Sequence, residues 1–151
     1  MAFRFFGLIA AVMIWVTPLN AADRGTPEQA KALVERAVQH LKSVGKDKAF
    51  EDFNDAKGNF VESDLYIFVE DMNAVALAHG ANKALIGKSV YDLKDADGKL
   101  FAREFISVAQ SSGEGWVTYK WPNPVSKKLE EKATYLKKVD DVIVLCGAYK
   151  N

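Results

Sequence analysis

The chain has 151 residues, and its 20 Lys and Arg balance 20 Asp and Glu for a formal net charge of zero at pH 7. That balance excludes nucleic acid, whose phosphate lattice demands a net basic face, and electrostatic docking on an anionic membrane, because the lysines alternate with acids rather than forming a block. Cys146 is the one cysteine, so no internal disulfide forms, and its neighbours Val144, Leu145 and Gly147 mark it as a small buried apolar side chain.

Arg4, an apolar run over 5–16 and the small residues before Asp23 read as a secretory signal over residues 1–22, cut after Ala21 or Ala22. The run is shorter than the ~20 apolar residues that span a bilayer, so no membrane insertion is expected after cleavage. Residues 23–151 then form one exported, periplasmic domain, long enough to bury a core of its own.

A helix opens that domain: Thr26 caps it, Pro27 suits its first position, and Gln29 completes a capping box. Ala30, Leu33, Val34, Ala37, Val38, Leu41 and Val44 recur at helical spacing up to Gly45. His40 lies on its polar side and carries no assigned role. A short helix over 47–54 with Ala49, Phe50 and Phe53 inward leads to the turn at Asp55 and Gly58. Residues 65–70 and 74–79 predict a hairpin turned at Asp71, Met72 and Asn73. From 80 to 98 the pattern dissolves into Gly, Asn, Lys and Asp, a lid or binding loop inside a compact domain. A helix resumes near Lys99 with Phe101, Phe105, Val108 and Ala109 on one face. Strands over 116–121, 132–139 and 142–149 close the chain as a meander, giving an α+β domain built on an antiparallel sheet of about five strands.

The strands around Gly115–Pro124 and 133–139 carry more rings and lysines than folding demands. Trp116, Tyr119, Trp121 and Tyr135 offer flat apolar walls, with Tyr66 joining them from the hairpin, and Lys137 offers one positive charge to an organic anion. Parity puts Trp116, Thr118 and Lys120 on one face and Val117, Tyr119 and Trp121 on the other; Tyr135 and Lys137 share a face opposite Thr134, Leu136 and Lys138. Which face holds the ligand stays open at this level. Tyr135 and Lys137 form the favoured pair, one to stack or hydrogen-bond and one to neutralise charge. His79, at the end of a strand where the lid begins, joins the expected site.

Asp95, Asp97, Gly98 and Glu104 match most of a calcium loop, but Leu93 stands where the first carboxylate belongs, and a helix-starting turn explains the same residues. No metal is expected. Zinc spacing, a haem motif and a phosphate-cradling glycine loop are all absent from the sequence, so no cofactor is expected either. An enzyme would have to rest on a desolvated Lys137 with His79 as acid or base, and no activated serine or carboxylate dyad supports that reading, so no catalytic residue is assigned. A purely structural subunit is the third alternative.

Several segments in order, from the Thr-Pro-Glu helix start at Thr26 through Asp64-Leu-Tyr-Ile-Phe-Val69, Ala78-His79, Leu85-Ile-Gly-Lys88, Asp95-Ala-Asp-Gly-Lys99, Gly115-Trp-Val-Thr-Tyr-Lys-Trp-Pro122 and Thr134-Tyr-Leu-Lys137 to Gly147-Ala-Tyr149, together resemble the single Cache domain of the second type. The resemblance covers nearly all of residues 23–151. It implies a PAS-like fold outside the cytoplasm that binds a small molecule, often a carboxylate, in a pocket over the sheet, with a long N-terminal helix and a helical and looped insertion above it. It also implies a role in chemotaxis or other signal transduction, in domains commonly flanked by membrane helices. The chain departs from that pattern in ending two residues after Tyr149, so the expectation is a stand-alone module that works through a separate membrane-bound histidine kinase or chemoreceptor. Gly80 stands where the family commonly has Pro after the histidine, which leaves the lid's hinge less constrained.

Overall fold

Thr26 and Gln29 satisfy each other's backbone as the sequence predicts: the Thr26 hydroxyl accepts from the Gln29 N–H at 3.2 Å, and the Gln29 side chain accepts from the Thr26 N–H at 2.8 Å. A computed structural model describes residues 24–150, so the expected signal over 1–22 lies outside the described residues. Helix α1 (Pro27–Val44) ends at Gly45, whose φ of 80° is open to glycine at no cost. Helix α2 (Lys46–Phe53) follows directly. Short strands β1 (Val61–Glu62) and β2 (Leu65–Tyr66) pair with each other, and then come β3 (Phe68–Asp71), β4 (Ala76–His79), a 3₁₀ turn at Lys83–Leu85, α3 (Phe101–Ser111), β5 (Glu114–Pro122), β6 (Leu129–Val139) and β7 (Val142–Tyr149).

The five longer strands form one antiparallel sheet in the order β4-β3-β7-β6-β5. This is the α+β arrangement expected from the pattern of elements, and the PAS-like fold that the resemblance implies. The predicted strand over 65–70 divides in two. Its first half turns away to pair with β1, through Ser63 at φ 56° and the buried carboxylate of Asp64. Asp64 accepts from the Gly25 N–H at 2.7 Å and the Asn123 side-chain amide at 3.0 Å, and those partners come from distant parts of the chain.

One face of the sheet is covered by α1 and α2. The apolar stripe of α1 meets Val69, Ala78, Tyr135, Val144 and Cys146 in a continuous core. The other face lies under α3 and the segment 80–100, where Phe101, Phe105, Ile106, Val117, Tyr119, Leu136 and Leu145 form a second core. The segment 80–100 is tied to the edge of the sheet rather than free: Ala76 donates to the Lys88 carbonyl at 2.9 Å and accepts from the Gly87 N–H at 2.8 Å. Asp95 fixes its far end by accepting from the backbone N–H groups of Asp97, Lys99 and, on β5, Lys120 at 2.9, 2.9 and 3.0 Å. The calcium-like residues thus serve a turn, and no metal-holding group of carboxylates, His or Cys occurs among the described residues.

Glu70 is fully buried on β3 with neither carboxyl oxygen hydrogen-bonded. Burial, aided by neighbouring Asp71, pushes its pKa up to about 8, so it stays a neutral acid at pH 7.

Candidate functional site

Parity decides what the second face offers. On β5, Val117, Tyr119 and Trp121 point toward α3; on β6 the register that opposes Thr134 to Gly147 sends Lys132, Thr134 and Leu136 the same way. A hollow lies there, walled by Phe68, Phe101, Tyr119 and Trp121 and roofed by Leu85, Val90 and Leu93 from the 80–100 segment. It is narrow, with only about 20 Å³ wide enough to centre a water molecule. Tyr66, His79, Lys132, Thr134 and Gly147 close its other side.

Lys132 sets the electrostatics. It is 3% exposed, its Nζ donates to the Tyr66 hydroxyl at 2.8 Å, and it lies 4.0 Å from the centroid of the Tyr66 ring and 4.8 Å from that of Tyr149. Rings and one hydroxyl stabilise an ammonium, but they do not neutralise it. It forms no ion pair among the described residues, and desolvation lowers its pKa to about 8, partly offset by Cys146 and the distant Asp64. At pH 7 the group is mostly charged and short of an anion.

Room for that side chain comes from Gly147. A Cβ there would stand 2.4 Å from Lys132 Cε and 2.2 Å from Thr134 Oγ1, so the glycine is the floor over which the lysine passes.

His79 is the second polar group. Its Nδ1 accepts from the backbone N–H of Asn82 at 2.9 Å and of Ala81 at 3.2 Å, which places the proton of the neutral ring on Nε2. Burial, then repulsion from Lys132, lowers its pKa to about 3, so it stays neutral and can only donate one hydrogen bond. The ring stacks on Tyr66 with centroids 4.9 Å apart. His79 therefore anchors the start of the 80–100 segment with one nitrogen and has the other left for a ligand.

Of the residues expected from sequence, Tyr66, His79, Tyr119 and Trp121 line the hollow together. The favoured pair does not. Tyr135 and Lys137 point to the α1 face, and Trp116 lies beside them with its ring 5.2 Å from that of Tyr135. The Tyr135 hydroxyl donates to Glu114 at 2.7 Å, and Lys137 is clasped by Glu35 of α1 at 2.8 and 2.9 Å and by Glu114 at 3.3 Å. Those carboxylates raise the Lys137 pKa, the hydrogen bond to Glu35 most of all. The reason is the two-residue period of a strand, which puts Lys132 and Lys137 on opposite faces. The enzyme alternative that pairs Lys137 with His79 loses its geometry for the same reason.

What sequence reasoning missed was Lys132, with Phe68, Phe101, Thr134 and Gly147 around it. One signal was available: an isolated glycine inside the apolar strand 142–149 marks a close approach, and here the approaching group is the lysine chain. Cys146 is buried as expected, its thiol pushed up to about 12 by desolvation. No helix of the described residues is long and apolar enough to cross a membrane.

The chain is similar to known sensor domains over most of its length. It is 26% identical over 127 residues to the methyl-accepting chemotaxis protein McpP of Pseudomonas putida strain KT2440, a match that covers 84% of this chain and 20% of that protein. The chain thus spans about a fifth of this curated relative's length. The crystal structure of a methyl-accepting chemotaxis protein from Vibrio parahaemolyticus superposes with a TM-score of 0.69 at 26% identity, covering 81% of this chain and 86% of that one. A Cache chemosensory domain solved to explain carboxylic acid recognition has the same fold, with a TM-score of 0.69 at 23% identity over 82% of this chain and 92% of its own. The family model for single Cache domain 2 matches residues 12–151, and the chain belongs to that family of extracytoplasmic small-molecule sensor domains.

Proposed function

We propose that the protein is a periplasmic module that binds a small organic monoanion, a carboxylate above all, and reports its presence through a separate membrane chemoreceptor or histidine kinase. The observation that carries this reading is Lys132: a buried ammonium with no carboxylate partner among the described residues, at the edge of an aromatic and apolar hollow. One carboxylate would complete its charge, accept from the Nε2–H of neutral His79, and leave a short apolar body against Phe68, Phe101 and Trp121. No carboxylate side chain lines the hollow, so an amino acid's ammonium would be buried without a counter-charge. A second acid group would find no second cation. Carboxylic acid recognition by a Cache domain of the same fold supports the class of ligand, and chemotaxis proteins among the relatives support the signalling role. A leader over residues 1–22 would deliver the domain to the periplasm.

The test is a thermal-shift and calorimetric panel of mono- and dicarboxylates, amino acids and amines. A short monocarboxylate should raise the melting temperature by mass action and be recovered unchanged. Binding of amines but not acids would overturn the reading. Because Lys132 has a lowered pKa, keto acids are included with borohydride present; covalent trapping or turnover would favour the enzyme.

A further inference from the structure

A second hollow adjoins the first and is the wider of the two. Some 290 Å³ of it is wide enough to centre a water molecule, against about 20 Å³ in the inner one. The two share Tyr66, His79 and Trp121, so these three side chains form a partition with one surface toward each hollow. Asn82, Pro122, Pro124 and Lys127 complete the outer wall.

The outer hollow has a sign. No acidic side chain lines it, His79 is neutral, and Lys127 forms no ion pair among the described residues. The Asn82 side chain uses its oxygen on the Ala84 N–H at 3.1 Å, which leaves its amide hydrogens for another acceptor. Much of the rim is rigid. Asn123 is buried, its Oδ1 accepts from the N–H groups of Val125 and Ser126 at 2.8 and 3.2 Å, and its Nδ2 donates to Asp64 and Glu130 at 3.0 Å each. The partition is less so. Tyr66 and His79 are 3% and 4% exposed and held by hydrogen bonds, whereas Trp121 is half-buried near the end of edge strand β5 and packs edge-on against Phe101 and Tyr119, with centroids 5.3 and 6.1 Å away.

We propose that the outer hollow is an anion-collecting antechamber: a small organic anion docks there against Lys127 and Asn82, and passes into the inner hollow when the Trp121 ring swings aside. The inference rests on the carboxylate reading for the inner hollow. It adds a second, weaker site and a route. Lys127 draws the anion in from solvent and Lys132 holds it, two cations staged along one path.

Two measurements test it, and they fail separately. In a chain with Trp15→Phe and Trp116→Phe, Trp121 is the sole indole, and its fluorescence is quenched with iodide, a small anion, and with neutral acrylamide. Lys127→Glu should cut iodide quenching about threefold or more at low salt while acrylamide quenching stays the same. Equal iodide quenching in both chains would overturn the antechamber. If the double-Phe background misfolds, iodide-soaked crystals of the unaltered chain give the same answer, with an anomalous peak expected beside Lys127 and its absence overturning the proposal. In stopped flow with propionate, Lys127→Glu should slow association about threefold or more and leave dissociation unchanged. Unchanged association with propionate still bound would mean another route and overturn the passage. Failure of propionate to bind the unaltered chain would count against the carboxylate reading of the inner hollow, while the iodide measurement would still decide the outer one.

Discussion

Gly147 and Lys132 occupy one space between β6 and β7: the lysine chain runs where a Cβ on residue 147 would lie, 2.4 Å from its Cε and 2.8 Å from its Cγ. Ladder pairing holds both strands at that separation, so neither can retreat. Gly147→Ala should therefore push Lys132 off its bed between Tyr66 and Tyr149, destabilise the fold by about 1–3 kcal/mol through overpacking, and abolish carboxylate binding. Melting curves and calorimetry on the variant check both effects. Intact affinity would mean that Lys132 does not need this path.

Lys132→Met and Lys137→Met should behave in opposite ways. Loss of the buried ammonium removes about 2–5 kcal/mol from the binding of an anion, thirtyfold or more by about 1.4 kcal/mol per decade, while melting temperature holds or rises because a buried unpaired charge has gone. Loss of Lys137 breaks a partly exposed pairing with Glu35 and Glu114 worth about 0.2–1 kcal/mol and leaves affinity unchanged. Titration calorimetry on the pair of variants decides between the two faces of the sheet.

That contrast shows where the sequence was legible. The cap and stripe of α1 follow from residues three and four apart, so local rules suffice, and Tyr119 and Trp121 were grouped correctly by strand period alone. The choice of face was not local. Glu35, which claims Lys137, lies on α1, and the groups that stabilise Lys132 come from Tyr66 and Tyr149 on two other strands. Read along its own strand, Lys132 is one more solvated lysine in an alternating pattern. The split of 65–70 into two strands was hidden for a like reason, since it depends on Asp64 meeting Gly25 and Asn123.

Affinity for an anion should weaken in alkali. Lys132 in the empty site loses its proton near pH 8, below the ordinary lysine value, because burial disfavours the charge. Binding of a carboxylate then needs a proton taken up with it, and the apparent Kd should rise as pH passes 8, by up to about tenfold per pH unit. Calorimetry at pH 7, 8.5 and 9.5 in buffers of different ionisation enthalpy would show the proton uptake. A flat profile would remove Lys132 as the charge that matters.

Stability should decline on both sides of neutrality, for two separate reasons. Glu70 has a folded pKa of about 8, above its ordinary 4.5, so its contribution is full below pH 4.5 and is lost as pH rises through 8. His79 has a folded pKa of about 3, below its ordinary 6.5, so the unfolded chain takes up a proton first and stability falls as pH drops from 6.5 toward 3. Glu70→Leu should stabilise the protein by about 1–3 kcal/mol, the cost of a buried polar group without partners, and the gain should be larger at pH 8.5 than at pH 5. Melting temperatures at those two pH values test it; an equal gain at both would show that Glu70 does not titrate differently on folding.

The order β4-β3-β7-β6-β5 puts β7, the last strand of this sheet in chain order, at its centre. Until residue 149 is available, the β3–β4 and β5–β6 hairpins have no strand between them, and the two halves of the hollow stand on separate pieces of chain. Folding of this domain must therefore await β7, and its rate will reflect the long loops closed when that strand slots in. Deletion of β7 would leave two hairpins without the strand that joins them, and no smaller working unit behind.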